Sequence, residues 1–263
     1  MALPRRLQVL LLALLVLAAG ACASGSRSPA APGNLSSPAT QTIRQAPTLQ
    51  IAKGDPLCPS RATIIGVVAK REATARSAPD PSVPALATFP RVNQQGSPQV
   101  FDVLEDASGS DGQPWTKVLL PIRPNGTTGY VRRAELRMLS TLYSISVSRS
   151  HLTLTLWKEC QEVATYPIGL GTRETPTPTG VFYLASLLRP PDPNGVYGKY
   201  AYGLSGYSSA IKQWTWGGLI GLHGTNEPSS VGKLSSHGCI RMRNRDIAEL
   251  VKILPLGTPI AIA

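Results

Sequence analysis

The stretch "IGLHGTNEPSSVGKLSSHGCIRM", Ile220 to Met242, holds one of the four cysteines and two of the three histidines of a 263-residue chain. A cysteine attacks a carbonyl as its thiolate, so it needs a base nearby, and acyl transfer also needs donors for the oxyanion. Cys239 follows Gly238, whose missing side chain permits a sharp turn that presents backbone N–H groups. His223 ends a predicted strand, and the residues between form an exposed flap. The pattern predicts a cysteine–histidine acyl-transfer site.

Two other interpretations of this stretch stay open on the residues alone. A buried cysteine with a purely structural role is common in folded proteins. A zinc site from Cys239, His223 and His237 would have three ligands, but a His and a Cys two residues apart fit no usual structural zinc spacing. We therefore expect neither a metal nor another cofactor.

The residues around this stretch predict a β-rich domain over 141–263. "HLTLTLW" alternates strictly, and "EVATYPIGL" follows after a turn, which predicts a hairpin. "VFYLASLL", "GGLIGLHG" and the final "TPIAIA" are predicted strands, whereas the segment from about 189 to Trp216 is predicted to be irregular. One helix is predicted over 244–253, with Asn244 as its cap and an apolar face made by Ile247, Leu250, Val251 and Leu254.

A second β domain is predicted over 61–139. Short β-runs alternate there with turn sequences such as Pro-Asp-Pro and Pro-Asn-Gly, which is typical of a small all-β barrel or sandwich. "ATARSAPD", "WTKVLL" and "TGYVRRAEL" resemble a bacterial SH3-like domain. Such domains bind cell-wall peptides or act as spacers. If Trp115 and Tyr130 line an exposed groove, they would favour a role in binding the cell wall. If they belong to the hydrophobic core, their role would be structural.

The first residues indicate export. Arg5 and Arg6 precede an apolar run too short to span a bilayer, so 1–23 is predicted to be a signal peptide. "AGAC", which ends at Cys22, resembles a lipobox with Ala where Leu is commoner, and implies a lipid anchor; cleavage at an Ala-x-Ala site is the alternative. The Ser-, Pro- and Ala-rich residues 24–60 are predicted to be a flexible tether. We expect a protein of the cell envelope that faces the wall.

Charge and cysteine content agree with that location. Without Arg5 and Arg6, 24 basic residues face 15 acidic ones, which suits an anionic envelope. No basic run is interleaved with stacking aromatics, so nucleic acid is not an expected partner. Outside the cytosol thiols oxidise, and Cys58 and Cys160 are predicted to form a disulfide whose loop of about 100 residues stabilises by up to ~4 kcal/mol; two buried thiols are the alternative.

Three motifs together resemble the L,D-transpeptidase catalytic domain of the YkuD type. They are "TPTPTGVF", "IGLHGT" and "HGCIRM", and thirteen residues separate the histidines of the last two motifs. The resemblance spans about 120 residues. The matching positions are His223, Gly224, Thr225, Ser236, Gly238, Cys239, Ile240, Arg241 and Met242. One branch of the family has Asn at the position of Arg241, so roles given to that Asn are not transferred to this chain.

The resemblance implies a mainly β fold and a reaction on peptidoglycan stem peptides. Cys239 would be the nucleophile that releases a terminal D-Ala, with His223 as general base and proton donor. The resulting thioester would pass to a side-chain amine of a second stem, which gives a 3-3 cross-link. The Gly224 carbonyl would orient the imidazole, and the N–H groups of Gly238 and Cys239 would line the oxyanion hole.

Three further residues are assigned to substrate binding. Arg241 would hold a stem carboxylate or tie down the loop. His237 lies too near the nucleophile in sequence to share the geometry of the base, so it would contact substrate or support the loop. Ser236 belongs to the same motif.

Competing functions remain at this stage. Transfer to water would make the enzyme an L,D-carboxypeptidase. A sortase-like transpeptidase also uses Cys, His and Arg, but its His lies much further upstream, and "TPTPTG" has no place in it. A catalytically silent wall-binding lipoprotein would lack an intact Cys–His–Arg set. Carbapenem-type β-lactams are the expected inhibitors, and the residues do not fix the acceptor.

Overall fold

Seven antiparallel strands form the first of two large sheets in the computed structural model, which describes residues 62–213 and 217–263. Their order across the sheet is β3-β2-β6-β5-β4-β1-β7. The sheet ends at residue 141, and the next strand begins at residue 143. The strands are β1 Thr63–Val68, β2 Glu72–Arg76, β3 Ala85–Pro90, β4 Val100–Ser108, β5 Pro114–Leu119, β6 Thr128–Arg132 and β7 Leu136–Thr141.

Trp115 belongs to the core of this first sheet. Its side chain is 1% exposed, and its indole N–H donates to the Asp111 carboxylate at 3.4 Å. The Arg132 guanidinium lies over the ring, 4.8 Å from its centroid. Tyr130 is half-buried, with the Lys117 ammonium over its ring. Since the tryptophan is covered, the core interpretation holds for Trp115.

Eight strands form the second sheet, in the order β10-β9-β8-β17-β12-β13-β14-β16. The pairs β17–β8 and β14–β16 are parallel and the others are antiparallel. A separate parallel pair joins β11 and β15. The remaining strands are β8 Tyr143–Ser148, β9 Thr153–Lys158, β10 Gln161–Pro167, β11 Leu170–Gly171, β12 Gly180–Leu188, β13 Ala201–Tyr207, β14 Leu219–His223, β15 Leu234–Ser236, β16 Ile240–Arg241 and β17 Pro259–Ile262.

The predicted hairpin is confirmed as β9 and β10. The prediction that the segment from about 189 to 216 is irregular is wrong, because it contains strand β13. Its sequence, "AYGLSGY", has no alternation because nearly every residue is buried. A Cβ at Gly203 would lie 2.4 Å from the Ser186 hydroxyl, and one at Gly206 2.4 Å from the Phe182 ring. The small residues that weaken the strand signal are therefore those that let β13 pack closely.

The predicted helix is confirmed as α1, Asn244–Ile253, and it directly follows β16. Ile247 and Leu250 are fully buried against the second sheet. The predicted cap is wrong, because Arg243 occupies the N-cap position and no side chain caps the helix. The Asn244 side chain bonds elsewhere, as described below.

The first sheet packs directly on the second. Ile65, Val67, Val100 and Leu119 form one buried cluster with Tyr183 and Ala185 of β12. Arg123, in the β5–β6 loop, donates to the carbonyls of Ser208 and Gly217 in the connection that leads into β14. The first sheet thus supports the strand that ends in His223.

A buried carboxyl lies beside this interface. Asp102 of β4 is 7% exposed, and desolvation raises its pKa to about 7. The unfolded chain ionises near 3.8, so between pH 3.8 and 7 the folded protein keeps a proton that the unfolded chain loses. The contribution of Asp102 to the free energy of unfolding is therefore fully present below pH 3.8, and it is lost as the pH rises through 7.

We expect Asp102→Asn to stabilise the protein more at pH 8 than at pH 4, because asparagine cannot acquire the buried charge. The pKa difference corresponds to a change on the order of 4 kcal/mol between the two conditions. Urea unfolding at both pH values measures it. Asp106→Asn, at an exposed position of the same strand, is the matched control. An equal gain at both pH values would refute the buried-charge explanation.

Several predicted features lie outside the described residues. These are the signal peptide 1–23, the tether 24–60, the anchor residue Cys22 and the disulfide residue Cys58. Cys160 is disulfide-bonded, and its pairing with Cys58 stays a prediction. Within 62–213 and 217–263, no helix has the length and apolar character needed to cross a membrane.

Candidate active site

The parallel pairing of β14 with β16 brings the predicted nucleophile and base together. Leu222 pairs with Ile240 and His223 with Arg241, so Cys239, one residue before β16, lies beside Gly221. The Gly221 N–H donates to the Cys239 sulfur at 3.3 Å. A Cβ at Gly221 would be 3.3 Å from His223 Cδ2 and 3.6 Å from Cys239 Sγ. The imidazole edge and the thiol therefore converge on the space that the glycine leaves open.

The orientation of His223 is fixed by its neighbour in the chain. The side chain is 4% exposed, and Nδ1 donates to the Gly224 carbonyl at 2.5 Å. Because a carbonyl only accepts, Nδ1 carries the proton and Nε2 keeps its lone pair. Nε2 is bonded to Cδ2, the atom that faces Gly221. The basic nitrogen is thus bonded to the ring atom that lies nearest the open space at Gly221, which Cys239 Sγ also borders. The Gly224 carbonyl is bonded to the imidazole, as the resemblance implied.

Both reacting groups are neutral at pH 7. The pKa of His223 is lowered to about 4, mainly because the ring is buried. The hydrogen bond to the Gly224 carbonyl raises this pKa, and the charge of Arg241 lowers it. Burial raises the pKa of Cys239, against the lowering effects of the Gly221 N–H and Arg241. The pair is a thiol beside a free imidazole, so the imidazole can remove the thiol proton as the sulfur attacks.

The turn before Cys239 is held by Ser236. Its hydroxyl accepts from the Gly238 N–H at 3.1 Å and donates to the Cys239 carbonyl at 2.6 Å, and the residue is 2% exposed. Gly238 has φ +114°, which disfavours any side chain there. The Gly238 N–H and the Ser236 hydroxyl thus hold the loop by bonding to each other. The predicted role of Gly238 in the oxyanion hole and that of Ser236 in substrate binding stay predictions.

Arg241 has a buried donor without a partner among the described residues. Its Nη1 forms an ion pair with the Glu227 carboxylate at 3.1 Å, and Glu227 itself is largely exposed. The buried donor is Nε. An unpartnered buried donor beside the thiol is a site for an oxygen of a ligand. Sequence reasoning missed Glu227, because a single acid in a Ser-rich flap carries no signal.

The predicted motif "TPTPTG", residues 175–180, packs against the cysteine loop. The Thr175 hydroxyl donates to the Ser236 carbonyl at 3.3 Å. Thr177 is 1% exposed, and its hydroxyl accepts from the Gly171 N–H at 2.9 Å. A Cβ at Gly238 would lie 3.7 Å from the carbonyl oxygens of both Thr175 and Pro176. The motif therefore forms one wall of the site.

His237 and Tyr197 complete the surroundings. His237 is exposed, two residues before the thiol. The Tyr197 ring contacts the His223 ring edge to face, with centroids 5.0 Å apart, although Tyr197 is half exposed. Sequence reasoning missed Tyr197, which lies in the segment predicted to be irregular. Within the described residues no group of three or more His, Cys, Asp or Glu is arranged to hold a metal.

Residues 142–262 match the family model of YkuD, the L,D-transpeptidase catalytic domain. A Bacillus licheniformis protein that carries the name L,D-transpeptidase YkuD is 45% identical to this chain over 120 residues. The alignment covers 46% of this chain and 65% of the relative. The Bacillus subtilis protein of the same name is 44% identical, with the same coverage of both chains. The matched segment thus spans less than two thirds of the length of these relatives. The solved structure of Bdellovibrio bacteriovorus Bd1075 is 28% identical over 47% of this chain and 48% of its own, with a TM-score of 0.37.

Proposed function

We propose that the chain is a peptidoglycan L,D-transpeptidase. The observation that carries the proposal is a buried imidazole, held through Nδ1 by the Gly224 carbonyl, that borders the same open space at Gly221 as the Cys239 thiol. Both residues lie within the segment that matches the L,D-transpeptidase catalytic domain. The buried Arg241 donor and the "TPTPTG" wall beside the thiol supply a site for a peptide donor.

The proposed first step cleaves the bond before a terminal D-Ala. Cys239 Sγ attacks the carbonyl carbon while His223 Nε2 takes the thiol proton, and the tetrahedral oxyanion is stabilised by the Cys239 N–H. When the intermediate collapses, the C–N bond breaks and the imidazolium donates its proton to the leaving amine. D-Ala departs, and the acyl group is a thioester on Cys239.

The second step passes the acyl group to another stem. A side-chain amine attacks the thioester carbonyl and loses a proton to His223, and the thiolate leaves and is reprotonated. One amide bond is broken and one is formed, so the exchange needs no energy source or cofactor. The product is a 3-3 cross-link.

The other site residues are given roles that follow from their contacts. Arg241 Nε is proposed to hold a carboxylate or carbonyl of the donor stem, since it is buried and unpartnered among the described residues. His237 is proposed to contact substrate from the exposed side of the loop. Ser236 and Gly238 are proposed to hold the turn that carries the nucleophile.

Residues 61–139 are proposed to be an SH3-like domain. Seven antiparallel strands and the covered Trp115 support this, and the packing of these strands on β12 favours a supporting role over a freely linked binding module. The sequence predicts the domain boundaries 61–139 and 141–263; since β7 runs to Thr141, we propose that the first domain extends to residue 141. Cys58 is proposed to be bridged to Cys160.

The envelope location rests on Cys22. We expect Cys22→Ser to move the mature protein from the membrane fraction to the soluble envelope fraction, because the lipid is attached through that sulfur. Fractionation of cells that express either form measures this. Membrane association that is unchanged in the variant would mean plain secretion.

Carbapenem labelling tests the proposed function with little material. An L,D-transpeptidase should open the β-lactam ring with Cys239, and the mass of the intact protein should rise by the mass of one drug. Iodoacetamide alkylation of a second portion of the protein, which has not been exposed to the drug, shows whether the thiol is accessible. A thiol that alkylates but never takes up a carbapenem would argue against the proposal.

A further inference from the structure

One peptide group in the site is hydrogen-bonded at both ends. Its carbonyl, that of Gly224, accepts from His223 Nδ1 at 2.5 Å. Its N–H, that of Thr225, donates to Asn244 Oδ1 at 3.0 Å. Asn244 is therefore joined to the imidazole through a single peptide plane. Such a chain of bonds is mutually strengthening, because polarising the N–H makes the carbonyl a better acceptor.

The position of Asn244 Oδ1 is tightly defined. A Cβ at Gly224 or at Gly198 would lie 2.0 Å from this oxygen. Gly198 also has φ +63°, and it belongs to the loop that carries Tyr197 to the imidazole. The amide oxygen thus lies where three segments meet: the first turn of α1, the His-Gly-Thr turn and the Tyr197 loop.

A role in capping α1 does not account for this arrangement. Asn244 is the first residue of the helix, Arg243 is the N-cap, and no side chain caps the helix. The side chain accepts instead from a backbone group 19 residues earlier in the chain. That contact is in the site and not in the helix.

We infer that Asn244 is a positioning residue of the proposed transfer reaction. It holds the Gly224–Thr225 peptide so that its carbonyl keeps the proton of His223 on Nδ1, which leaves Nε2 free toward Cys239. The inference rests on the proposed function for its effect on turnover. Its effect on the imidazole follows from the hydrogen bonds alone.

The charged groups near His223 bear on the test. Arg241, on β16, is the charge that lowers the pKa of His223, and Glu227 pairs with Arg241. On α1 the Asp246 carboxylate is paired with Arg245 at 2.9 Å. The ring of Tyr197 contacts the imidazole, and the uncharged thiol of Cys239 borders the same open space at Gly221 as His223 Cδ2. A carboxylate in place of the Asn244 amide would therefore add a negative charge near the imidazole of His223.

The experiment compares Asn244→Leu with Asn244→Asp in the full chain. Leucine removes the acceptor, whereas aspartate keeps an oxygen for the Thr225 N–H. Asn244→Ala repeats the loss with a smaller side chain if leucine prevents folding. Lys252→Leu, at an exposed position of the same helix, controls for an apolar substitution.

Nitrogen-15 NMR of the imidazole is the primary readout, because it reports the tautomer without any substrate. We expect the Nδ1–H tautomer to dominate in wild type and Lys252→Leu, to lose its dominance in Asn244→Leu and to return in Asn244→Asp. In Asn244→Asp the protonation midpoint of His223 should also rise, since the carboxylate stabilises the imidazolium.

Turnover of a tetrapeptide donor is the second readout. We expect kcat of Asn244→Leu to fall about 100-fold with little change in KM, because the imidazole would be misplaced while the substrate still binds. Asn244→Asp should recover most of the lost kcat. A folded Asn244→Leu with the wild-type tautomer and kcat would overturn the inference. If wild type moves no acyl group but its tautomer still depends on Asn244, the proposed function fails and the positioning role stands.

Discussion

Replacing Cys239 with alanine is expected to abolish both acyl transfer and carbapenem acylation. No other described cysteine is free, and the thiol and the imidazole border the same open space at Gly221. Without the sulfur no thioester can form, so the residual rate should fall to that of the uncatalysed reaction. Intact-protein mass spectrometry after carbapenem exposure and chromatographic detection of released D-Ala measure the two losses.

The fold of this variant must be shown to persist, since an unfolded protein would give the same result. The sulfur accepts one weak hydrogen bond, from the Gly221 N–H, so its removal should cost about 1 kcal/mol or less. Thermal unfolding should therefore stay close to wild type. A folded Cys239→Ala that still releases D-Ala would remove Cys239 from the mechanism.

His223→Ala is expected to slow turnover by about 10²–10⁴-fold, the usual contribution of a general base. A trace of acylation should survive at high pH, where solvent removes the proton of a thiol whose pKa burial has raised. The wild-type rate should hold down to pH values near 4, because the base is neutral until it protonates there. Initial rates across the pH range for wild type and variant measure both effects.

The remaining two histidines are matched controls for this variant. His151 lies in the turn between β8 and β9 and bonds to Ser148 and Ser150, so His151→Ala should behave as wild type. His237→Ala should be intermediate, because the residue is exposed and lies two residues before the nucleophile on the same loop. A folded His237→Ala as inactive as His223→Ala, with no binding defect, would contradict the assignment of the base.

The same depressed pKa affects stability. The unfolded chain protonates histidine near 6.5 while the folded protein does so near 4. Stability from His223 is therefore present above 6.5 and declines as the pH falls toward 4, since the unfolded state binds the additional proton.

Local patterns were sufficient to predict much of the second sheet and the helix. Strict alternation located the β9–β10 hairpin, and apolar spacing located α1 with both ends correct. The pairing of Cys239 with His223 followed from chemistry, because a cysteine nucleophile needs a base and only two histidines were near in sequence.

Features that depend on packing were not predictable. Strand β13 is buried along nearly its whole length, so its sequence shows no alternation of apolar and polar residues. The hydrogen bond between the Ser236 hydroxyl and the Gly238 N–H depends on how the turn folds, which no local pattern reveals. Asn244 read as a helix cap, since the sequence gives no sign that the His-Gly-Thr turn returns to meet it.

The central claim is tested most directly by incubating the purified protein with tetrapeptide muropeptides and identifying the products by mass spectrometry. An L,D-transpeptidase should release one D-Ala per transfer and give dimers whose fragmentation places the new bond between two third residues. Folded Cys239→Ala should give none. Tripeptide monomers without dimers would indicate hydrolysis and an L,D-carboxypeptidase. Unchanged tetrapeptides in the presence of a folded protein whose thiol still reacts with iodoacetamide would contradict the account.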